Sequence, residues 1–252
     1  MPAYQRIVVL ETEVLSHDTF SSFGTVIQNP KPGLIPSPSS QPKDLPPNAE
    51  QANQGSALKY LDVTHMEDYY SFAPSGQSAR AVMNMFVCAP RPLLRSGGDG
   101  EKGHRRAVPV EILERHPYTT QTFIPLGLSP ADQQEARYLV IVAPSLEPSS
   151  LDAPLPVPPA SENVCLPGRG LPDLYNIKAF IANGSQAITY GAGTWHSPMV
   201  VVGKKPISFV VIQFANGVAI EDCQEVKLRR ADADEILVGV PEVETGRIRL
   251  KL

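Results

Sequence analysis

Two short runs in this sequence carry side chains able to do acid–base or metal chemistry. The first, residues 111–127, reads EILERHPYTTQTFIPLG. If its start is extended, Ile112, Glu114 and His116 share one face, because side chains alternate along a strand, and Arg115 points the other way. After a turn at Pro117, Gln121 and Phe123 re-enter on the next strand. A glutamate and a histidine two residues apart can converge on one substrate or one divalent ion, since imidazole nitrogen and carboxylate oxygen both ligate borderline metals. The plainer alternative is a polar strand end with an exposed ion pair. The second run, residues 190–198, reads YGAGTWHSP. Its two glycines permit a tight turn. Trp195 and His196 follow, one ring for the core and the other for a cavity or for solvent.

The elements that must position these runs read as strands. The segments 81–89, 111–116, 121–127, 137–143, 177–182, 199–203 and 207–215 are short, apolar and mostly bounded by Gly, Pro or Asn, an all-β pattern. One helix start is evident at Ser16, which can cap HDTFSSFG and place Phe20 and Phe23 on one face. A further short helix is expected around residues 66–72. The tail after Cys223 alternates charge with aliphatics and is expected to add edge strands. The chain holds 26 prolines in 252 residues, about twice the ordinary share of ~5%, which disfavours long helices. Seven of them lie in residues 30–47 and six in 144–159. Such stretches favour extended, solvated backbone. Residues 95–107, RSGGDGEKGHRRA, read as a flexible loop. The expectation is one mainly β domain, residues 1–252, with a few short helices and insertions near 30–50, 95–108 and 144–173.

Composition narrows the function classes. Lys plus Arg number 22 against 26 Asp plus Glu, a net charge of −4, which argues against a nucleic-acid partner. Cys88, Cys165 and Cys223 have no CxxC spacing and suit a reducing compartment; each reads as inert. The opening MPAYQRIVVLETEVL turns acidic after a short apolar run, so no signal peptide is expected, and no run reaches 18 apolar residues, so no membrane helix is expected. A cytoplasmic protein follows. No GxSxG elbow, P-loop or dinucleotide fingerprint occurs, and no nucleotide cofactor is expected. His17, His65 and His104 read as structural or exposed.

Taken together, the two runs resemble the paired motifs of cupin β-barrels, HxH-x(3–4)-E-x6-G and PxG-x2-H-x3-N. Glu114-x-His116-x4-Gln121-x5-Gly127 is similar to the first, with Glu for its first His and Gln for its Glu; Gly193-x2-His196 is similar to the second. The wider pattern is more specific. VEILERHPYTTQTFIPLG, IKAFIANGSQAITYGAGTWHSPM, a strand ending in IQF, the EDC at 221–223, the opening VVLETEVLSHDTFSSFGTVI and Asn53-Gln54-Gly55 together resemble the ureidoglycolate lyases, over about 60% of the chain. Ser197 stands where bacterial members of that family carry a second His.

The resemblance implies a jelly-roll cupin-like barrel, a homodimer, and cleavage of ureidoglycolate into glyoxylate and urea in purine and allantoin breakdown. That reaction needs a base for the hydroxyl proton, an acid for the departing urea nitrogen and a hold on the carboxylate. His116, His196 and Glu114 are the catalytic candidates, because imidazole works near neutral pH. Gln121, Arg115, Lys178 and Asn84 are the substrate-binding candidates, with Arg80 a further carboxylate anchor. If one divalent metal ion is bound, Glu114, His116, Gln121 and His196 would ligate it. Two other readings stay open: a different cupin-type enzyme, an amidohydrolase or metal oxygenase, and a non-catalytic small-molecule-binding barrel.

Overall fold

The computed structural model describes residues 7–39, 45–96, 105–128, 132, 135–160, 166–228 and 235–241. Its logic is clearest at the strand Arg137–Ala143, where every residue after Arg137 is buried. Tyr138, Val140 and Val142 enter one core, while Leu139, Ile141 and Ala143 enter another. A strand apolar on both faces must be covered on both faces. Its sheet has seven strands. Gln224–Lys227, Ile112–Arg115, Trp195–His196, Arg137–Ala143, Lys178–Asn183 and Thr12–Val14 follow one another in that order, and Val200–Val201 also pairs with Arg137–Ala143.

The first core closes against a five-stranded sheet, ordered Gly24–Ile27, Ala187–Tyr190, Gln121–Leu126, Ile207–Ala215 and Arg80–Cys88. The second closes against a four-stranded sheet, ordered Ile7–Leu10, Glu235–Val240, Arg105–Pro109 and Leu94–Ser96. The architecture is mainly β and cupin-like, as the sequence predicts, with the third layer as an addition. Ala49–Ala52 and Ala57–Tyr60 form a separate hairpin.

The described helices are single turns. At His17–Phe20, Ser16 caps the start in a reciprocal box with Thr19, and Phe20 and Phe23 both enter the first core. The expected helix near 66–72 is the 3-10 turn Tyr70–Phe72. Among the described residues no helix is long and apolar enough to cross a membrane.

Three expectations need correction. Residues 95–107 are not simply a loop: Leu94–Ser96 and Arg105–Pro109 pair as a hairpin, because Ala107 and Val108 bury in the layered core. The strand Glu235–Val240 is not at an edge. It lies between a parallel and an antiparallel neighbour, with Ile236, Val238 and Val240 packed into the second core; Gln224–Lys227 does take an edge. The proline-rich stretch 144–159 has no helix or strand, as expected, but Asp152 within it is buried and holds Arg169 and the Ser149 amide. His104, Cys165 and the terminal RIRLKL lie outside the described residues.

Candidate active site

Strand alternation and one cross-strand pairing assemble the site. Glu114, on Ile112–Arg115, is the register partner of His196 on Trp195–His196, so both face the first core. The opposite face takes Leu113, Arg115 and Trp195. His116 follows at the end of its strand, and the turn after Pro117 brings Gln121 to the start of the next. Gly193 adopts φ +78°, in the left-handed region, and its N–H donates to the His116 carbonyl at 2.8 Å. The glycine turn thereby docks directly on the first motif.

The imidazole rings of His116 and His196 lie 5.6 Å apart. His116 Nδ1 is 2.6 Å from the Asp222 carbonyl and His196 Nδ1 is 2.9 Å from the Thr194 carbonyl. A carbonyl oxygen only accepts, so both Nδ1 atoms carry the proton and both Nε2 atoms present a lone pair. Neither Nε2 has a hydrogen-bond partner, although both are buried. His196 Nε2 stands 3.6 Å from Glu114 Oε1, and ligand atoms of Glu114, His116 and His196 all lie within 4.8 Å of one another.

Burial sets the charge states. It drives the His196 pKa down to about 3, reinforced by neighbouring His116, and it lowers that of His116 against the upward pull of the Asp222 carbonyl. Burial, and then the Glu225 carboxylate, lift Glu114 to about 7. The Glu114–His196 contact is therefore between a carboxyl group and a neutral ring, not an ion pair. Gln121 lies beside His116; its Nε2 donates to Gln213 Oε1 at 2.6 Å, leaving its own Oε1 buried and unpartnered.

Two orphaned Nε2 lone pairs beside a carboxyl, each ring anchored through its other nitrogen to a backbone carbonyl, fit a borderline divalent ion. Glu114, His116 and His196 would hold it, with Gln121 Oε1 nearby.

The remaining candidates fall elsewhere. Arg115 is fully buried on the opposite face. It donates to Gln224 Oε1 and to the carbonyls of Gly168, Arg169 and Gly170, with its guanidinium 4.4 Å from the Trp195 ring. With four hydrogen bonds to the surrounding chain, on the face away from the cluster, it is a structural anchor and not a substrate ligand. Lys178 is outside the cluster, lining a cleft of about 520 Å³ with Ser22, Asn176 and Thr194. Arg80 is exposed at a strand end. Asn84 is exposed on Arg80–Cys88, on the same face as Phe86, which packs against Phe123 toward the first core. His17 and His65 are exposed.

Sequence reasoning missed Tyr190, Asp222 and Glu225 as neighbours of the cluster. Tyr190 stacks on His196 with ring centroids 3.9 Å apart and planes at 15°. Asp222, inside the EDC run, supplies the carbonyl that orients His116. Its carboxylate is tied by Tyr70 Oη, Asn216 N and Gly217 N at 2.7–2.9 Å. Cys223 and Glu225 flank Glu114 on the far side, and burial pushes the Cys223 thiol up to about 12, which keeps it unreactive. Tyr190 had a local signal as the first residue of the glycine-turn run, and Asp222 lies in the EDC run that forms part of the family resemblance.

A relative from Schizosaccharomyces pombe named ureidoglycolate lyase is 34% identical over 212 residues, 84% of this chain and 87% of the relative. One of the same name from Saccharomyces cerevisiae is 31% identical over 199 residues, covering 79% and 82%. Another from Burkholderia mallei is 25% identical over 210 residues, covering 82% and 84%. The family model described as ureidoglycolate lyase matches residues 7–233, a span that takes in both motifs and every strand of the seven-stranded and five-stranded sheets. The chain belongs to the ureidoglycolate lyase family.

Proposed function

We propose that this chain cleaves ureidoglycolate to glyoxylate and urea, with Glu114, His116 and His196 as the reacting groups. The observation that carries the reading is the convergence of two unpartnered imidazole Nε2 atoms and one carboxyl from motifs distant in sequence. The Nε2 lone pairs are the acceptors available for the substrate hydroxyl proton as the carbonyl forms. Glu114, poised near neutral pH, can carry a proton to the departing urea nitrogen. Gln121 Oε1 offers an acceptor to the N–H groups of the ureide. A divalent ion on Glu114, His116 and His196 would polarise the substrate hydroxyl and lower its pKa.

The chain is read as one domain acting in the cytoplasm, a setting that suits the free thiols of Cys88 and Cys223. It is further read as a homodimer, because Met83, Met85 and Val87 project from an edge strand at 69, 62 and 69% exposure.

Purified protein given racemic ureidoglycolate, with and without chelator, tests the reading. Urea and glyoxylate in equal amounts are expected. Ammonia release would point to an amidohydrolase, oxygen uptake to an oxygenase, and no turnover with or without added divalent ions to a binding protein.

A further inference from the structure

Tyr190 is buried to 2% exposure, and its hydroxyl has no hydrogen-bond partner. A buried hydroxyl without a partner lowers stability, and tyrosines in protein cores ordinarily satisfy theirs. Tyr138, in the same core, does so by donating to the Gln186 carbonyl at 2.7 Å. Nothing about packing asks for the oxygen of Tyr190. Its ring is fixed by the stack on His196 and by edge contacts with Phe20 and Phe123 at 6.1 and 6.0 Å, all of which a phenylalanine would make.

The donor and acceptor inventory of the cluster says what the oxygen is for. The buried unpartnered atoms of the cluster are His116 Nε2, His196 Nε2 in the ring stacked on Tyr190, and Gln121 Oε1 on the cross-strand partner of Tyr190, and all three are acceptors. Of the neighbouring donors, both Nδ1–H groups are taken by backbone carbonyls and one N–H of the Gln121 amide by Gln213. The other orphaned hydroxyls lie elsewhere, Tyr60 in the separate hairpin, Tyr118 against Tyr70 and Ser145 in the loop after Ala143. Breaking a carbon–nitrogen bond to a ureido group puts negative charge on that group, and apart from the proton that Glu114 can carry, the three unpartnered atoms just named are acceptors, which do not stabilise it. A preorganised donor stabilises it.

We infer that Tyr190 is a further catalytic residue, whose phenolic O–H donates a hydrogen bond to the departing ureido group. The inference rests on the lyase reading and extends it to a residue outside the His–Glu cluster.

Tyr190→Phe keeps the ring and removes only the O–H. Steady-state kinetics on ureidoglycolate, with a melting curve for each protein, are the test. The variant is expected to lose about a hundredfold in kcat, as when one preorganised donor is removed, with KM changed less than about threefold. Its melting temperature should equal or exceed the parent's, because an unpartnered buried hydroxyl is gone. A kcat within about threefold of the parent would overturn the inference, and so would a lower melting temperature, which would mean the oxygen has a structural partner. A parent protein that releases no urea defeats the lyase reading and this inference together; an active parent with an equally active variant defeats the inference alone.

Discussion

His116 and His196 hold their rings in the same way, through Nδ1 to a backbone carbonyl, and offer the same atom to the same space. That symmetry makes them jointly necessary. His116→Ala and His196→Ala are each expected to lower turnover at least about a hundredfold, in line with the ~10²–10⁴ cost of losing an acid or base, with the β-rich circular dichroism spectrum retained. Loss of activity in only one would assign the other to packing.

Glu114 makes a separate, thermodynamic prediction. Its carboxyl goes from an ordinary 4.5 to about 7 on folding, so between those values the folded protein binds more protons than the unfolded chain. Stability from this group is full below 4.5 and is lost as pH rises through 7. Glu114→Gln removes that loss. In metal-stripped protein the melting temperature of the variant minus that of the parent should grow from pH 4.5 to 7 and then level off. A flat difference would mean that the carboxyl is not held in its neutral form.

At the scale of elements, the informative feature is how an irregular segment becomes part of the site's support. The stretch after Ala143 has no ladder of its own, yet Arg115 and the Trp195 indole both donate to the Gly170 carbonyl, and Gln224 donates to that of Pro156. At Gly170 any Cβ would stand 1.7 Å from the Leu146 carbonyl oxygen, so only glycine allows this close approach. Arg115→Ala would strand several buried carbonyls and open a gap beside Trp195. The expected cost is about 3 kcal/mol or more, roughly 6–12 °C in melting temperature for a chain of this size. Turnover per folded molecule should fall far less than in His116→Ala, since Arg115 faces away from the cluster. Equal damage to turnover in a fully folded Arg115→Ala protein would contradict that placement.

At the scale of the whole molecule, three sheets share two cores, and one edge of the outer face of the five-stranded sheet carries exposed apolar side chains. Met83, Met85 and Val87 alternate with residues directed at the first core, and Leu126 adds to the exposed surface at 47%. Charge placed there should separate a dimer without touching either core. Met85→Glu is expected to halve the mass seen by light scattering at micromolar concentration and to leave the circular dichroism spectrum unchanged. A monomeric parent protein would remove the basis for the dimer.

Period-two alternation and punctuation by Gly and Pro made the mainly β class legible from sequence alone, and most of the strand segments with it. Both signals are local: they follow from side-chain geometry along an extended backbone. For the same reason the division of Glu114 and His116 from Arg115 was readable, as was the cap at Ser16. The meeting of Glu114 with His196 depends on register between strands distant in sequence. The second core depends on Glu235–Val240 inserting between Ile7–Leu10 and Arg105–Pro109, a pairing that brings together the two ends of the described chain. Arg115 could be assigned to a face but not to its anchor role, because its acceptors are carbonyls of a segment without periodicity. Tyr190 and Asp222 were hidden for a related reason. An aromatic at a strand end and an acid in a short turn are ordinary in sequence. Only tertiary packing stacks one on His196 and aims the other's carbonyl at His116, since those contacts join elements whose spacing along the chain carries no information about their separation in space.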